Sequence, residues 1–580
     1  MRVQSGGRPP ARLGLRRWHL RPHQMHPPRS SSSHCTASPD SSPIAAASGS
    51  GTYTYRRGCW PRDRIACTFK RDCVDISKLA YTLAPTMSTI IPLQAELRPQ
   101  LPTVEGNVDY RTFRQQLERI DQLLAQTGLE TDFVAASLRH WQSQARNPLA
   151  NVSVHQQEQF QEHSRRALRC NLARLLLGQA YRPFSTRLAD SPLLQWFCQL
   201  DRLDVVRVPA KSTLQRYAHW LPDAQMRPLI NRVLQTGAQQ PQTLDLAAPL
   251  DLDLCFLDTT ALQTPIHFPV DWVLLRDATR TLMRAVQLIR RHGLKHRMAP
   301  PEQFLRQMNQ LSIQMTHARR KTDSQKTRKR VLRLMKRQVK LVAGHSRRHR
   351  ELLDHHWAQT DWTRPQAEQV LRRIDGVRAL LPQALKQAHE RIIGQRPVAN
   401  ADKVLSLYET ATRVIVRGKA GAEVEFGNTL LLGESRQGLI MDWQLFEESA
   451  PADVTLLVDS VQRIQANLDV KLKGLGADRG FHSRANTAWL QAQGIANGIC
   501  PKSPAELAAR QEEESFVRLQ TRRSQTEGRI GILKNVFLGR PLRAKGYGHR
   551  ARAVSWAVLT HNLWVLARLP RAAAARAQAA

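Results

Sequence analysis

Residues 250–261 read LDLDLCFLDTTA, with Leu252, Leu254, Phe256 and Leu257 making an apolar strand that is expected to stop at Asp258. An acid at the end of a buried strand emerges at the sheet edge with its backbone fixed, ready to meet a second such acid. That second acid is Asp478, which closes the strand-like GLGADRGF. A third, Glu527, falls inside a late helix spelled from about Arg522 to Phe537.

Outward from this strand the text changes period. Residues 108 to 236 are helical, with Leu168, Leu172, Leu175 and Leu176 at three- and four-residue steps. There LDVVRVPAKSTLQRYAHWLP breaks at Val208-Pro209 before a helix from near Ser212 that carries Lys211 and Arg216. A DNA-reading helix-turn-helix and an ordinary helix capped by Ser212 both fit this spelling. Residues 279–400 form a basic helical insertion, with twelve Lys and Arg among residues 321 to 350. Val331, Leu334, Met335, Val339 and Val342 keep one apolar stripe, so its charge lies on the other faces and is expected to grip DNA backbone. Strands follow at Thr412–Val416, VEFGNTLLLG and GLIMDWQLF, the last two forming a hairpin. Helix DVTLLVDSVQRIQANL, the Asp478 strand, helix RANTAWLQAQG, strand NGICP and the Glu527 helix complete the order. This alternation fits an RNase H-like α/β domain with a mixed sheet, over 246–570, preceded by an all-α DNA-binding region over 87–245.

Composition narrows the partners. The chain has 580 residues and a formal net charge of +38, which attracts a polyanion, and nucleic acid is the obvious one. No run approaches the eighteen or so apolar residues of a membrane span, so no membrane partner and a cytoplasmic, nucleoid-associated location are expected. Residues 1–86, rich in Arg, Pro, Ser and Gly, read as a disordered basic extension, and the change of text at Met87 suggests natural translation from there. Native peptides from before residue 80 would overturn that expectation. The early Cys35, Cys59, Cys67 and Cys73 lack a CxxC pair and are not expected to bind metal, while Cys170, Cys198, Cys255 and Cys500 read as reduced core thiols. Residues 571–580 read as a flexible tail. The histidines His345, His349, His355 and His356 read as solvated.

Three carboxylates suit magnesium, which takes oxygen ligands, and two such ions about 3.5–4 Å apart can hold both oxygens of an in-line phosphoryl displacement. Each acid also has a plain reading: Asp258 as a turn cap, Asp478 as a partner of Arg479, Glu527 as a helix-surface partner of Arg523. His267, Asp271 and Asp277 could shape the first-strand side of the site and are assigned no catalytic role. Glu512, Glu513 and Glu514 are rivals for the third acid but sit in a charged, solvated stretch.

Several blocks resemble the ISNCY-type insertion-sequence transposases of the DDE class. LDTTALQTPIHFPVDWVLLRDATRTL resembles the family's first-aspartate region, with Asp258 on the aspartate. IVRGKAGAEVEFGNTLLLGESRQGLIMDW resembles the strand pair after its insertion, and GADRGFHSRANTAWL the segment of its second aspartate, Asp478. RRSQTEGRIGILKNVF resembles the third-acid helix, in which an arginine four before the glutamate and a lysine seven after it correspond to Arg523, Glu527 and Lys534. A related signature opens on tyrosine, where this chain has Gln520. The likeness runs over roughly 100 to 570. It implies metal-dependent phosphodiester hydrolysis and strand transfer at three catalytic, metal-binding acids, with two Mg2+ ions that Mn2+ can replace. It further implies terminal inverted repeats and target DNA as partners, DNA contacts from Arg523 and Lys534, and homo-oligomers on paired ends; Lys211 and Arg216 are expected DNA contacts on the helix-turn-helix reading alone. A nuclease that cuts without joining, and a catalytically silent transposase-derived DNA-binding protein, are the rival readings.

Overall fold

The computed structural model describes residues 104–144, 153–201, 205–318, 324–419 and 422–572, without the side chains of 417–422. The basic extension, its four cysteines and most of the tail lie outside these.

Seven helices open the described chain, from Val108–Gln126 to Asp223–Gln239. Their apolar stripes bury Leu117, Ile120, Leu168, Leu172 and Phe197 in one core that continues through the sheet and into the last helix, Tyr547–Leu566. The helical region is therefore built into the sheet's core rather than standing apart from it. Arg227 secures the junction: it donates to the buried Asp442 carboxylate at 2.9 Å and stacks 3.9 Å over the Trp443 ring. The short helix Lys211–Tyr217 begins at Lys211, with Ala210 in the cap position and no side-chain cap bond. Ser212 is not its cap, a correction to one of the two readings above. Leu214 and Tyr217 face inward, which leaves Lys211 and Arg216 exposed.

The sheet has six strands: β1 (Leu254–Gln263), β2 (Arg413–Lys419), β3 (Ala422–Glu434), β4 (Ile440–Leu445), β5 (Gly474–Ala477) and β6 (Ala496–Ile499). Their order is β2-β3-β1-β5-β6, with β4 also on β3; β5 and β6 run parallel to β1, and β3 antiparallel to it. The fold is thus mixed α/β. Strand β1 does not stop at Asp258. It runs five residues further, because Thr259–Gln263 stay in ladder with Gly427–Leu431 of β3. Gly427 permits that approach, since a Cβ there would lie 1.9 Å from the Leu262 carbonyl oxygen.

The insertion leaves and re-enters at one place, for Gln263 and Arg413 both stand opposite Gly427. Its first helix starts at Asp271, not near 279, and Trp272, Leu274, Leu275 and Ala278 already belong to its core. Asp271 fixes that start: buried, it accepts from Gln387 at 2.8 Å and from Arg391 at 2.9 and 3.0 Å, across the last insertion helix. Helices Asp271–Arg291, Pro301–Ala318, Ser324–His356 and Arg364–His389 enclose a second core of Val331, Met335, Val339, Ile374 and Leu381. His349 is buried there, its Nδ1 2.8 Å from the His345 carbonyl oxygen, so it is not the solvated histidine expected. Among the described residues no helix is long and apolar enough to cross a membrane.

Candidate active site

Side chains alternate along a strand, so Phe256, Asp258 and Thr260 share one face of β1. Parallel pairing sets Leu257 beside Ala477, the last residue of β5, and this register brings the next residue of each strand, Asp258 and Asp478, to the same edge. Asp258 Oδ1 accepts from the Thr259 N–H at 2.7 Å. Asp478 caps the turn Arg479–Phe481, accepting from the Gly480 N–H at 2.8 Å.

The two carboxylates feel each other. Burial first, and then the negative charge of Asp478, push the Asp258 carboxyl up to about 6, against the opposing pull of Arg523 and the Thr259 N–H. Asp453, in the first turn of helix Asp453–Leu468, adds to the push. It is a near neighbour of Asp478: a Cβ on Gly480 would fall 2.6 Å from Asp453 Oδ2 and 2.9 Å from Asp478 Oδ1. Only glycine leaves both carboxylates their room. Sequence reasoning passes over Asp453, because an acid in a helix's first turn is ordinary dipole complementarity.

The late helix is broken. Helix Glu514–Arg523 ends at Arg523, and a second starts at Thr526 and runs to Ile532, followed by a π-helical turn over Leu533–Leu538. Ser524 Oγ donates to the Thr521 carbonyl at 2.7 Å, the local competition that ends helices. Arg523 and Glu527 therefore belong to different helices, a correction to the single helical face expected. Arg523 points at the acids instead, its Nη2 3.9 Å from Asp478 Oδ2.

This segment lies on the Asp258 face of β1. Arg522 stacks 4.6 Å over the Phe256 ring and donates to buried Glu434 at 2.9 Å, which also accepts from Thr526 Oγ1 at 2.7 Å. Farther along, Lys534 Nζ donates to Thr260 Oγ1 at 3.0 Å. Gln520 reaches across the strand ends, donating to the Gly498 carbonyl at 2.5 Å and to the Ala477 carbonyl at 3.2 Å, so it braces the strand that delivers Asp478.

The structure thus brings Asp258, Asp478, Arg523 and Lys534 to one face and edge of β1. Glu527 sits on the same covering segment with an exposed side chain, and among the described residues no group of three or more His, Cys, Asp or Glu stands close enough to hold a metal. Glu512, Glu513 and Glu514 are exposed, as expected. Lys211 and Arg216 belong to the helical region and touch none of these carboxylates. Asp258 and Asp478 fit a divalent cation by donor type and by mutual repulsion, which a cation would relieve. No protein family, curated protein or solved structure matches the chain.

Proposed function

We propose that the chain is a DDE-type transposase whose RNase H-like domain cleaves phosphodiesters at transposon ends and joins the freed 3′-hydroxyl to target DNA. The observation that carries this reading is the convergence of Asp258 and Asp478, 220 residues apart in the chain, on adjacent parallel strands with the Asp258 carboxyl pushed up to about 6. Supporting it are a central strand flanked by an antiparallel hairpin on one side and two parallel strands on the other, and the net charge of +38.

Each residue's task follows from its place. Asp258 and Asp478 would hold Mg2+, with Glu527 as the third acid. Bound there, the metal supplies Lewis-acid polarisation and a counter-charge to phosphate. Arg523 holds the Asp478 carboxylate in position and lowers the local negative potential that a DNA phosphate must enter. Lys534, anchored on Thr260, offers an ammonium to the phosphate from the covering segment. Burial of β1 fixes these groups before substrate arrives.

The test uses a plasmid carrying the gene with its flanking DNA, incubated with the full chain and Mg2+. Cleavage at the flanks is expected for the natural protein. It should fall at least a hundredfold in Asp258→Asn, Asp478→Asn and Glu527→Gln, while DNA binding persists. Undiminished cleavage by a variant removes that residue from the site; binding with no cleavage by the natural chain leaves the silent DNA-binding reading in its place. Transfer of pre-cut ends separates a transposase from a nuclease that only cuts.

A further inference from the structure

We infer that the 33-residue helix Ser324–His356 carries a track for the backbone of duplex DNA, formed by the exposed side chains of Lys326, Arg330, Arg333, Arg337, Lys340 and Arg347. The inference rests on the reading of DNA as substrate and names the surface that holds it.

Steps of four, three, four, three and seven residues keep these six cations on one side of the helix. Val331, Leu332, Met335, Val339 and Val342 face the insertion's core from the other side. The charged side is therefore turned away from the protein. No acidic residue occurs from Ser324 to Arg350. Among the described residues the first five cations make no ion pair, and Arg347 has only Glu351 at 3.9 Å. Elsewhere in the same bundle an arginine finds carboxylates: Arg350 pairs with Asp354 at 2.8 Å and with Asp375 at 3.1 Å. So many uncompensated like charges in a row cost folding energy by mutual repulsion, and a polyanion relieves that cost.

Dimensions favour a duplex. At 1.5 Å per residue the row from Lys326 to Arg347 is about 31 Å long, close to the roughly 34 Å turn of B-DNA. The side chains are flexible cations without planar partners or aromatic neighbours in the row, which suits phosphate contact rather than base stacking. The bundle is rooted where both its connections meet Gly427, five residues along β1 from Asp258, so DNA held by the track is tethered to the body that carries the acids.

The experiment measures binding of the full chain to a fluorescein-labelled 40-base-pair duplex of arbitrary sequence by anisotropy, from 0.05 to 0.3 M salt. It compares the natural protein, the fourfold variant Arg330→Gln, Arg333→Gln, Arg337→Gln, Lys340→Gln, and Asp258→Asn. The fourfold variant should bind at least tenfold more weakly at 0.15 M salt. Its log–log salt slope should fall by about 3.6, near 0.9 for each of the four phosphates no longer neutralised. Its melting temperature should be unchanged or higher, since all four side chains are exposed and mutually repulsive. Asp258→Asn should keep the natural slope. An unchanged slope in the fourfold variant while the natural chain binds duplex overturns the track and leaves the catalytic reading standing. Loss of binding to anionic phosphatidylglycerol vesicles with duplex binding intact also overturns it. Cleavage by Asp258→Asn would sink the catalytic reading and leave the track.

Discussion

Asp258 is the residue at which stability and the proposed activity are opposed. Its folded carboxyl titrates at about 6, against an ordinary 3.8, so the folded chain holds that proton more tightly than the unfolded one. Stability from this group is therefore greatest below about pH 4 and declines as pH rises towards 6, where the buried site must take up charge. At 1.36 kcal/mol per pKa unit the decline is roughly 2–3 kcal/mol, a cost that the cation proposed for this site would offset. Asp258→Asn should accordingly melt a few degrees above the natural chain at pH 7.5, with the gap closing towards pH 4.5. A variant that melts lower at pH 7.5 would show that the carboxylate is satisfied within the protein and needs no cation.

Among the elements, the segment from Glu514 to Leu538 carries Glu527, the proposed third acid. It is pinned over β1 at one end by Arg522 between Phe256, Glu434 and two backbone carbonyls, of Ser435 at 2.8 Å and Arg436 at 2.7 Å, and at the other by Lys534 on Thr260. Arg522 and Glu434 are both largely buried, and breaking such a pair by removing one partner costs about 3–5 kcal/mol. Arg522→Ala should lower the unfolding free energy from urea titration by that amount and reduce the proposed cleavage even under conditions where the chain remains folded. An unfolding free energy within about 0.5 kcal/mol of natural, the range of an ordinary surface substitution, would mean that the segment is held elsewhere. The segment's content is legible in the sequence, but its break is not. Periodicity runs through Arg522 to Phe537 without a proline or a turn glycine, and the break depends on Ser524 and on a buried acid, Glu434, some ninety residues away. The same limit applies to β1, whose polar Thr259 and Thr260 spell a loop, whereas pairing with β3 carries the strand past the acid. Helix Asp453–Leu468, by contrast, is legible residue for residue, because its local apolar period is enough to mark it.

Across the described residues there are two cores, and the connections between them leave and return at one register position of the sheet, opposite Gly427. The first joins the opening helices, the sheet and the last helix, and the second belongs to the basic insertion. Composition foretells the insertion and its charge, since periodicity and lysine content are local properties. That the opening helices share the sheet's core is not legible, for contacts such as Arg227 on Asp442 and Trp443 link residues more than two hundred apart. The pairing of Asp258 with Asp478 is likewise a property of the whole fold, since parallel strands from distant segments must meet in one register to create it. Manganese binding reads that pairing out directly. Electron paramagnetic resonance of free Mn2+, titrated with the full chain at pH 7.5, should reveal saturable binding in the natural protein that is abolished in both Asp258→Asn and Asp478→Asn. Equal Mn2+ uptake by all three proteins would contradict the account, because the acids would then meet without forming a cation site.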